Sequence, residues 1–232
     1  MGFREAMEFG VPDIRRGLRG LCRIFECGDA GMQRELQAAL RDMDEAAVEV
    51  FILALKHRSR KIRALALSTL AEIRAARAVK PIVELLGDED AEMRARAAAA
   101  LGEIGDPAAA APLMHALRDS DRFVRARAAI ALGRLGGGVA EPLIAALSSE
   151  HEPIRAGAAI ALGELQDPRA APHLLRALKD RGPAVRAAAA IALKYAGPPA
   201  VEPLIGALQD PDADVRAAAA IALGRIRDPR SV

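Results

Sequence analysis

Along residues 214–228 the chain reads DVRAAAAIALGRIRD: a polar start, one arginine, then small or branched apolar residues with no charge until Arg225. Apolar positions recurring every three to four residues predict an amphipathic helix. Near copies of the string lie upstream, marked by Arg63, Arg94, Arg125, Arg155, Arg186 and Arg216 at spacings of 31, 31, 30, 31 and 30 residues. After each of the first five comes a second apolar segment: VKPIVELLGD at 79–88, AAPLMHALRD at 111–120, AEPLIAALSS at 140–149, APHLLRALKD at 171–180 and VEPLIGALQD at 201–210. The pattern therefore predicts a repeat of two short helices with a period of 30 to 31 residues.

The punctuation between segments is equally regular. Eight residues after each marker arginine stand Ala71, Gly102, Gly133, Gly163, Lys194 and Gly224. This mostly glycine column predicts that each first helix closes there in a left-handed cap. GDP at 105–107 and QDP at 166–168 then turn the chain, with aspartates placed to cap the second helix. Proline at 81, 112, 142, 172 and 203 falls near the start of that helix, where a missing N–H costs little; Pro172 comes one residue early, so His173 takes its column.

Runs of alanine let neighbouring helices approach closely while favouring the helix itself. No such unit can bury its own apolar face, so the units must stack into a solenoid stabilised by repeat and interface terms. Asp88, Asp119, Asp180 and Asp210 stand six residues before a marker arginine, and Asp90, Asp121 and Asp212 stand four before one. An aspartate–arginine ladder of this kind would cap helix starts and fix the stacking register.

Taken together, D-x-x-V-R-x-x-A-A-x-A-L-G, then G-D-P, then P-L-I-x-A-L resembles the HEAT repeat of the phycobilisome-lyase type, over about 59–232 with six copies of the arginine motif. The resemblance implies an all-α solenoid of stacked two-helix repeats wound as a right-handed superhelix. For function it implies only a range, because this repeat serves scaffolds, adaptors, a few enzymes and chaperone-like lyases.

Upstream the pattern decays. Residues 1–28 read as an N-terminal capping region with a helix over 12–26, whose Arg15, Arg16, Arg19 and Arg23 would solvate its outer face. Residues 29–58, with MQRELQAALRDM at 32–43 and AAVEVFILALKH at 46–57, read as a degenerate first repeat. Residues 59–232 read as five full repeats and a last half repeat in one continuous solenoid. In that last half, Ile221, Leu223 and Ile226 are expected to pack on the preceding unit, and self-association through this end is one expectation.

Composition narrows the function classes. Apolar residues make up 52% of the chain but aromatics only 3%, with no Trp and Tyr195 the single tyrosine, so the core must be built from Ala, Leu, Ile and Val. Basic and acidic residues nearly cancel, 33 against 31, which argues against a protein whose main task is neutralising a polyanion. Cys22 and Cys27 fit neither a disulfide framework nor a zinc site and read as reduced thiols. No apolar run approaches a bilayer span, no membrane partner is expected, and MGFREAMEFG does not read as a secretory signal, so the expected compartment is the cytoplasm.

Chemistry-bearing constellations are sparse. A related repeat enzyme, deoxyhypusine hydroxylase, holds two irons with His-Glu doublets on several repeats, whereas here the only such doublet is His151-Glu152. His57, His115, His151 and His173 fall in different columns of the repeat. No nucleophile triad, phosphate loop or paired-carboxylate pattern stands out, GGG at 136–138 reads as a turn, and neither catalysis nor a cofactor is expected. Bilin handling of the lyase kind would want aromatic and polar groups gathered on one face, for which Tyr195 and five phenylalanines are the supply.

A partner is better placed. In stacked helix pairs the second helices line the concave face, and columns there without a consensus are free to be chosen by a ligand. One such column is Glu84, His115, Ala145, Arg176, Gly206; another is Gly87, Arg118, Ser148, Lys179, Gln209; a third is Lys80, Ala111, Glu141, Pro172, Glu202. Lys80, Glu84, His115, Arg118, Glu141, Arg176, Lys179 and Glu202 are therefore the candidate contacts of a scaffold for a protein or peptide. The alternative is nucleic acid, through the one basic concentration, Lys56, Arg58, Arg60, Lys61, Arg63, Arg74, Arg77 and Lys80, although Glu84, Asp88, Glu89, Asp90 and Glu92 follow at once.

Overall fold

A computed structural model describes residues 45–226, with side chains from 48 onward, so the expected 12–26 cap and the 29–44 part of the 29–58 repeat lie outside the described residues. Among the described residues there are twelve α-helices and no strand. The chain divides into two compact units, Met1–Asp106 and Pro107–Val232. The first contains α1 (Glu45–Ala54), α2 (Arg60–Glu72), α3 (Val79–Glu84) and α4 (Ala91–Ile104). The second contains α5 (Ala110–Ala116), α6 (Arg122–Arg134), α7 (Ala140–Ala146), α8 (Glu152–Leu165), α9 (Ala171–Ala177), α10 (Pro183–Ala192), α11 (Val201–Ala207) and α12 (Ala213–Ile226).

Within each unit the expected hairpin repeats. In the second, the arginine-bearing first helices α6, α8, α10 and α12 pack one on the next, while α5, α7, α9 and α11 each lie against the first helix that follows. In the first, α2 packs on α4, α1 on α2 and α3 on α4. Each second helix is entered through a single 3-10 turn, such as Pro107–Ala109 or Pro168–Ala170, and carries its proline at the second or third position, where no intrahelical N–H is lost.

The alanine pairs are the inner wall of the stack: Ala97 and Ala98 in the first unit, and Ala128, Ala129, Ala158 and Ala159 in the second, are fully buried. Leucine and valine fill the space between helix layers, as at Leu132, Leu143, Val185, Leu193 and Leu204.

The glycine column does something other than the sequence suggests. Gly102, Gly133 and Gly163 are buried inside the last turn of α4, α6 and α8, and Gly224 lies inside α12. A Cβ at Gly163 would sit 2.7 Å from Ala192 Cβ and 2.8 Å from its Cα, and one at Gly133 would sit 2.8 Å from the Ala161 carbonyl oxygen. At Gly133 and Gly163 the column is small because the next first helix touches it, so there it sets helix spacing rather than helix closure. Closure comes three residues later, where Arg74, Gly105, Gly136, Gln166 and Gly197 all have positive φ. Gly136 (φ 88°, ψ −174°) and Gly197 (φ 70°, ψ −156°) occupy a region essentially closed to residues with a Cβ.

The arginine ladder is present in fuller form than the spacing implied. Each marker arginine donates through Nη1 to the carbonyls five and six residues before it; Arg155 reaches Glu150 O at 3.0 Å and Ser149 O at 2.8 Å. That staples the turn to the helix it precedes. The opposite edge of the guanidinium then forks onto the next repeat: Arg155 Nε and Nη2 each meet Asp180 at 2.8 Å, and Arg186 meets Asp210 at 2.7 and 2.8 Å. The same aspartates accept a backbone N–H two residues on, from Gly182 and Asp212.

Bidentate pairing of this geometry is among the stronger charge-assisted contacts. Burial alone would push the Asp180 carboxyl up, but the Arg155 fork and the Gly182 N–H hold it below the ordinary carboxylate range. At Asp210 the Arg186 hydrogen bonds outweigh burial in the same direction.

Two rungs depart from this form. Ser149 stands where an aspartate would meet Arg125, whose partners among the described residues are the Asp119 and Ser120 carbonyls. In the first unit Arg63 Nη2 lies 3.5 Å from Asp88, and Arg63 Nε is buried without an acceptor. The helix-capping half of the expectation holds at Asp90, Asp121 and Asp212, each of which accepts from the N–H two residues ahead.

At α12, Leu223 packs as expected and Ile226 is half-buried, but Ile221 is 55% exposed. The reason is its helical phase: Ile160 and Ile191, its counterparts on α8 and α10, are half-buried on the side where the following first helix packs. Among the described residues no single helix is long and apolar enough to cross a membrane.

Candidate functional site

Two columns of the variable stripe fall on each second helix at positions i and i+4, one above the other on the same face, and the third, at i+7, stands in the 3-10 segment or turn that follows the helix. In the first unit that stripe is Lys80, Glu84 and Gly87; in the second it is Ala111, His115 and Arg118, then Glu141, Ala145 and Ser148, then Pro172, Arg176 and Lys179, then Glu202, Gly206 and Gln209. Every one of these residues is exposed. Their helices are anchored by the opposite side, where Ile82, Leu113, Leu143, Leu174 and Leu204 are buried against the first helices. The face is thus rigid at its base and free at its surface.

Its charges differ in how far they are already used. Glu84 is ion-paired with Lys56 at 3.1 Å. Glu141 meets Arg169 at 3.3 Å, while Arg169 also forks onto Asp167, whose carboxyl that pairing holds low. Glu202 is engaged as well. Arg176 Nη2 lies 2.7 Å from His173 Nδ1 on its own helix. His115, Arg118 and Lys179 extend from the surface.

The basic segment of the first unit is more fully spent. Besides the Lys56–Glu84 pair, Arg60 is bonded to both Asp90 and Glu92, and Arg77 lies 3.0 Å from Glu49. Arg58, Lys61, Arg74 and Lys80 are exposed. The acids that neutralise the run come from α1, α3 and the start of α4, so the segment forms a mixed-charge surface rather than a basic track. An open cleft of about 570 Å³ beside it has both signs on its walls, with Lys56, Arg58 and Arg63 facing Glu84, Asp88 and Glu89.

The histidines do not converge. His57 accepts from Ser59 N–H, His173 contacts Arg176, and His115 and His151 are exposed on separate repeats. Among the described residues no three His, Cys, Asp or Glu side chains group as a metal site. Tyr195 is 53% exposed, lies under Lys194 Nζ at 4.8 Å, and borders a crevice of about 300 Å³ with Leu162, Leu174 and Ala192, a placement that its scarcity in the sequence does not signal.

Comparison with known proteins accords with this architecture. The family profile for HEAT repeats matches residues 48–133, 116–194 and 176–232. No curated protein sequence matches the chain. Among solved structures, the complex of CpcE and CpcF of phycocyanin lyase from Nostoc sp. PCC7120 is similar at 26% identity and TM-score 0.51, over 80% of this chain and 79% of that one. The Escherichia coli protein YibA is similar at 17% identity and TM-score 0.51, over 98% and 85%. Kap95p, solved with RanGDP, is similar at 16% identity and TM-score 0.55; this chain is covered over 97% and spans 37% of that one.

Proposed function

Since the chain belongs to the HEAT-repeat family, we propose that it is a cytoplasmic binding scaffold without catalysis of its own, and that it presents its second-helix stripe to a protein or peptide partner. One observation carries this reading. Positions that stacking needs recur from repeat to repeat and are buried, whereas the i, i+4, i+7 positions of the five proline-bearing second segments are exposed and hold no common residue: two of the three columns repeat no residue type and the third repeats only Glu141 and Glu202. A stripe fixed on a preorganised frame loses little ordering entropy on association, which favours recognition by shape and charge.

The test is a photo-crosslinking residue placed at Ala145 on the stripe and, separately, at Arg127 on the exposed side of α6, in extract of the source cell. The scaffold reading expects discrete protein adducts at 145 that disappear when Arg176 and Lys179 are both changed to Glu. Equal labelling from the two positions, or none at 145, would contradict it.

The likeness to the phycocyanin-lyase complex favours one second reading, a lyase-like subunit acting on a pigment protein. Its test is pigment attachment to, or removal from, phycocyanin in the presence of the chain.

A further inference from the structure

The cations of the second unit's stripe are gathered on two of its four second helices. Arg118 stands in the turn just past α5, beside His115 in the last turn of that helix, and Arg176 lies in the last turn of α9 with Lys179 just past it; between them Ala145 and Ser148 stand at and just past the end of α7, and beyond them Gly206 and Gln209 at and just past the end of α11. Resting on the scaffold reading above, we propose that α5, α7 and α9 form a docking surface for an acidic, extended segment of a partner protein.

Elsewhere in this unit the arginines that matter to the fold are consumed: Arg155 and Arg186 by aspartates, Arg125 and Arg216 by turn carbonyls, Arg169 by Asp167 and Glu141. Arg118, Arg176 and Lys179 are exposed and have no ion pair to a carboxylate among the described residues. The stripe's own acids sit at the opposite end of the second helices, and both are engaged, Glu141 by Arg169 and Glu202 elsewhere. The basic end of the stripe thus carries uncompensated charge that a partner's carboxylates would meet.

Relief sets the shape of that partner. With Ala145 and Ser148 on α7, a backbone crossing from α5 to α9 finds a low floor between two raised basic edges. The first helices α6, α8 and α10, on which α5, α7 and α9 lie, pack one on the next, and packed helices stand about 8–10 Å apart, so two repeat steps span roughly 20 Å, which an extended chain covers in about six residues. The fitting segment therefore carries acidic residues about six positions apart with small or polar residues between them. A nucleic-acid strand fits less well: it asks for a continuous run of cations and for stacking aromatics, and the stripe has neither.

The experiment uses the full chain with p-benzoylphenylalanine at Ala145 and fluorescent fourteen-residue peptides in a Gly-Ser background. One peptide carries two Asp-Glu pairs six residues apart, one carries the same four acids together, one replaces them with Lys and one with Leu; an oligo-dT strand completes the set. The expected result is crosslinking of the spaced acidic peptide at position 145, with at least tenfold tighter binding than the Lys and Leu peptides. Binding should fall at least tenfold in Arg176→Glu/Lys179→Glu and in the milder Arg118→Gln/Lys179→Gln chain.

Equal binding of the spaced and clustered acidic peptides would overturn the spanning geometry. Preference for oligo-dT, or acidic binding untouched by both variants, would overturn the proposal. Crosslinking of the Lys or Leu peptide instead would overturn the charge assignment and leave the scaffold reading standing, whereas no crosslink at 145 from any probe would count against both.

Discussion

The first-helix stack and the second-helix stripe of the 107–232 unit are built from the same repeats under opposite rules. In the stack, Ala128, Ala158, Ala189 and Ala219 are interchangeable and fully buried. On the stripe, His115, Ala145, Arg176 and Gly206 share a position and nothing else. Packing at near-solid density punishes any change of volume, so the stack converges on one solution. Solvent imposes no such rule, so the stripe is open to specification by a ligand. The comparison teaches that stability and recognition occupy separate faces of one hairpin, and each prediction below tests that separation.

The largest effect is expected at Arg155, which is 4% exposed and ties two carbonyls and one carboxylate together. Arg155→Ala should cost about 3 kcal/mol in urea unfolding, because it strands a partly buried carboxylate as well as removing the fork. The loss should depend on pH with a definite sign. Asp180 is held below its ordinary value in the folded chain, so the rung's contribution is fully present above the unfolded carboxylate pKa near 3.9 and is lost as pH falls through the folded value. The gap between the two proteins should therefore narrow below about pH 4, toward what the two carbonyl bonds alone contribute. A gap independent of pH would show that Arg155 acts through its carbonyl bonds alone.

Next comes Gly163→Ala, where the added methyl meets backbone as well as side chain of Ala192. Overpacking of this kind costs about 2 kcal/mol, read from the denaturant midpoint at constant m-value. Ser149→Asp should act in the opposite sense. It restores the missing carboxylate opposite Arg125 and should add about 1 kcal/mol to the same measurement. No gain would mean that the Arg125 fork is not poised as those of Arg155 and Arg186 are. Smallest of all is the effect of Arg176→Glu/Lys179→Glu on stability, expected within about 0.5 kcal/mol because both side chains are exposed and neither takes part in the ladder.

Much of this fold is legible in the sequence because a repeat states each structural requirement several times. The period, the two helices per unit, the proline positions and the aspartate caps follow from columns that recur together. The glycine column was legible as a column but misassigned, since spacing reports that a Cβ is unwelcome without saying whether a dihedral or a neighbour forbids it. The true left-handed positions are obscured because Arg74 and Gln166 stand where Gly105, Gly136 and Gly197 do.

The Arg155–Asp180 fork joins residues 25 apart in the chain. The aspartates six residues before four of the six marker arginines point to it, but the two carbonyl staples leave no side-chain signature. The candidate site was legible only as an absence of consensus. Which of its charges are already neutralised, as Glu84 is by Lys56 and Glu141 by Arg169, depends on side chains brought together by stacking.

The most direct test of the division of labour combines unfolding and peptide affinity on one preparation of the Arg118→Glu/Arg176→Glu/Lys179→Glu chain. The account predicts an unfolding free energy within about 0.5 kcal/mol of the parent together with at least a tenfold loss of affinity for the spaced acidic peptide. A fall in stability as large as that of Arg155→Ala, with affinity unchanged, would contradict it.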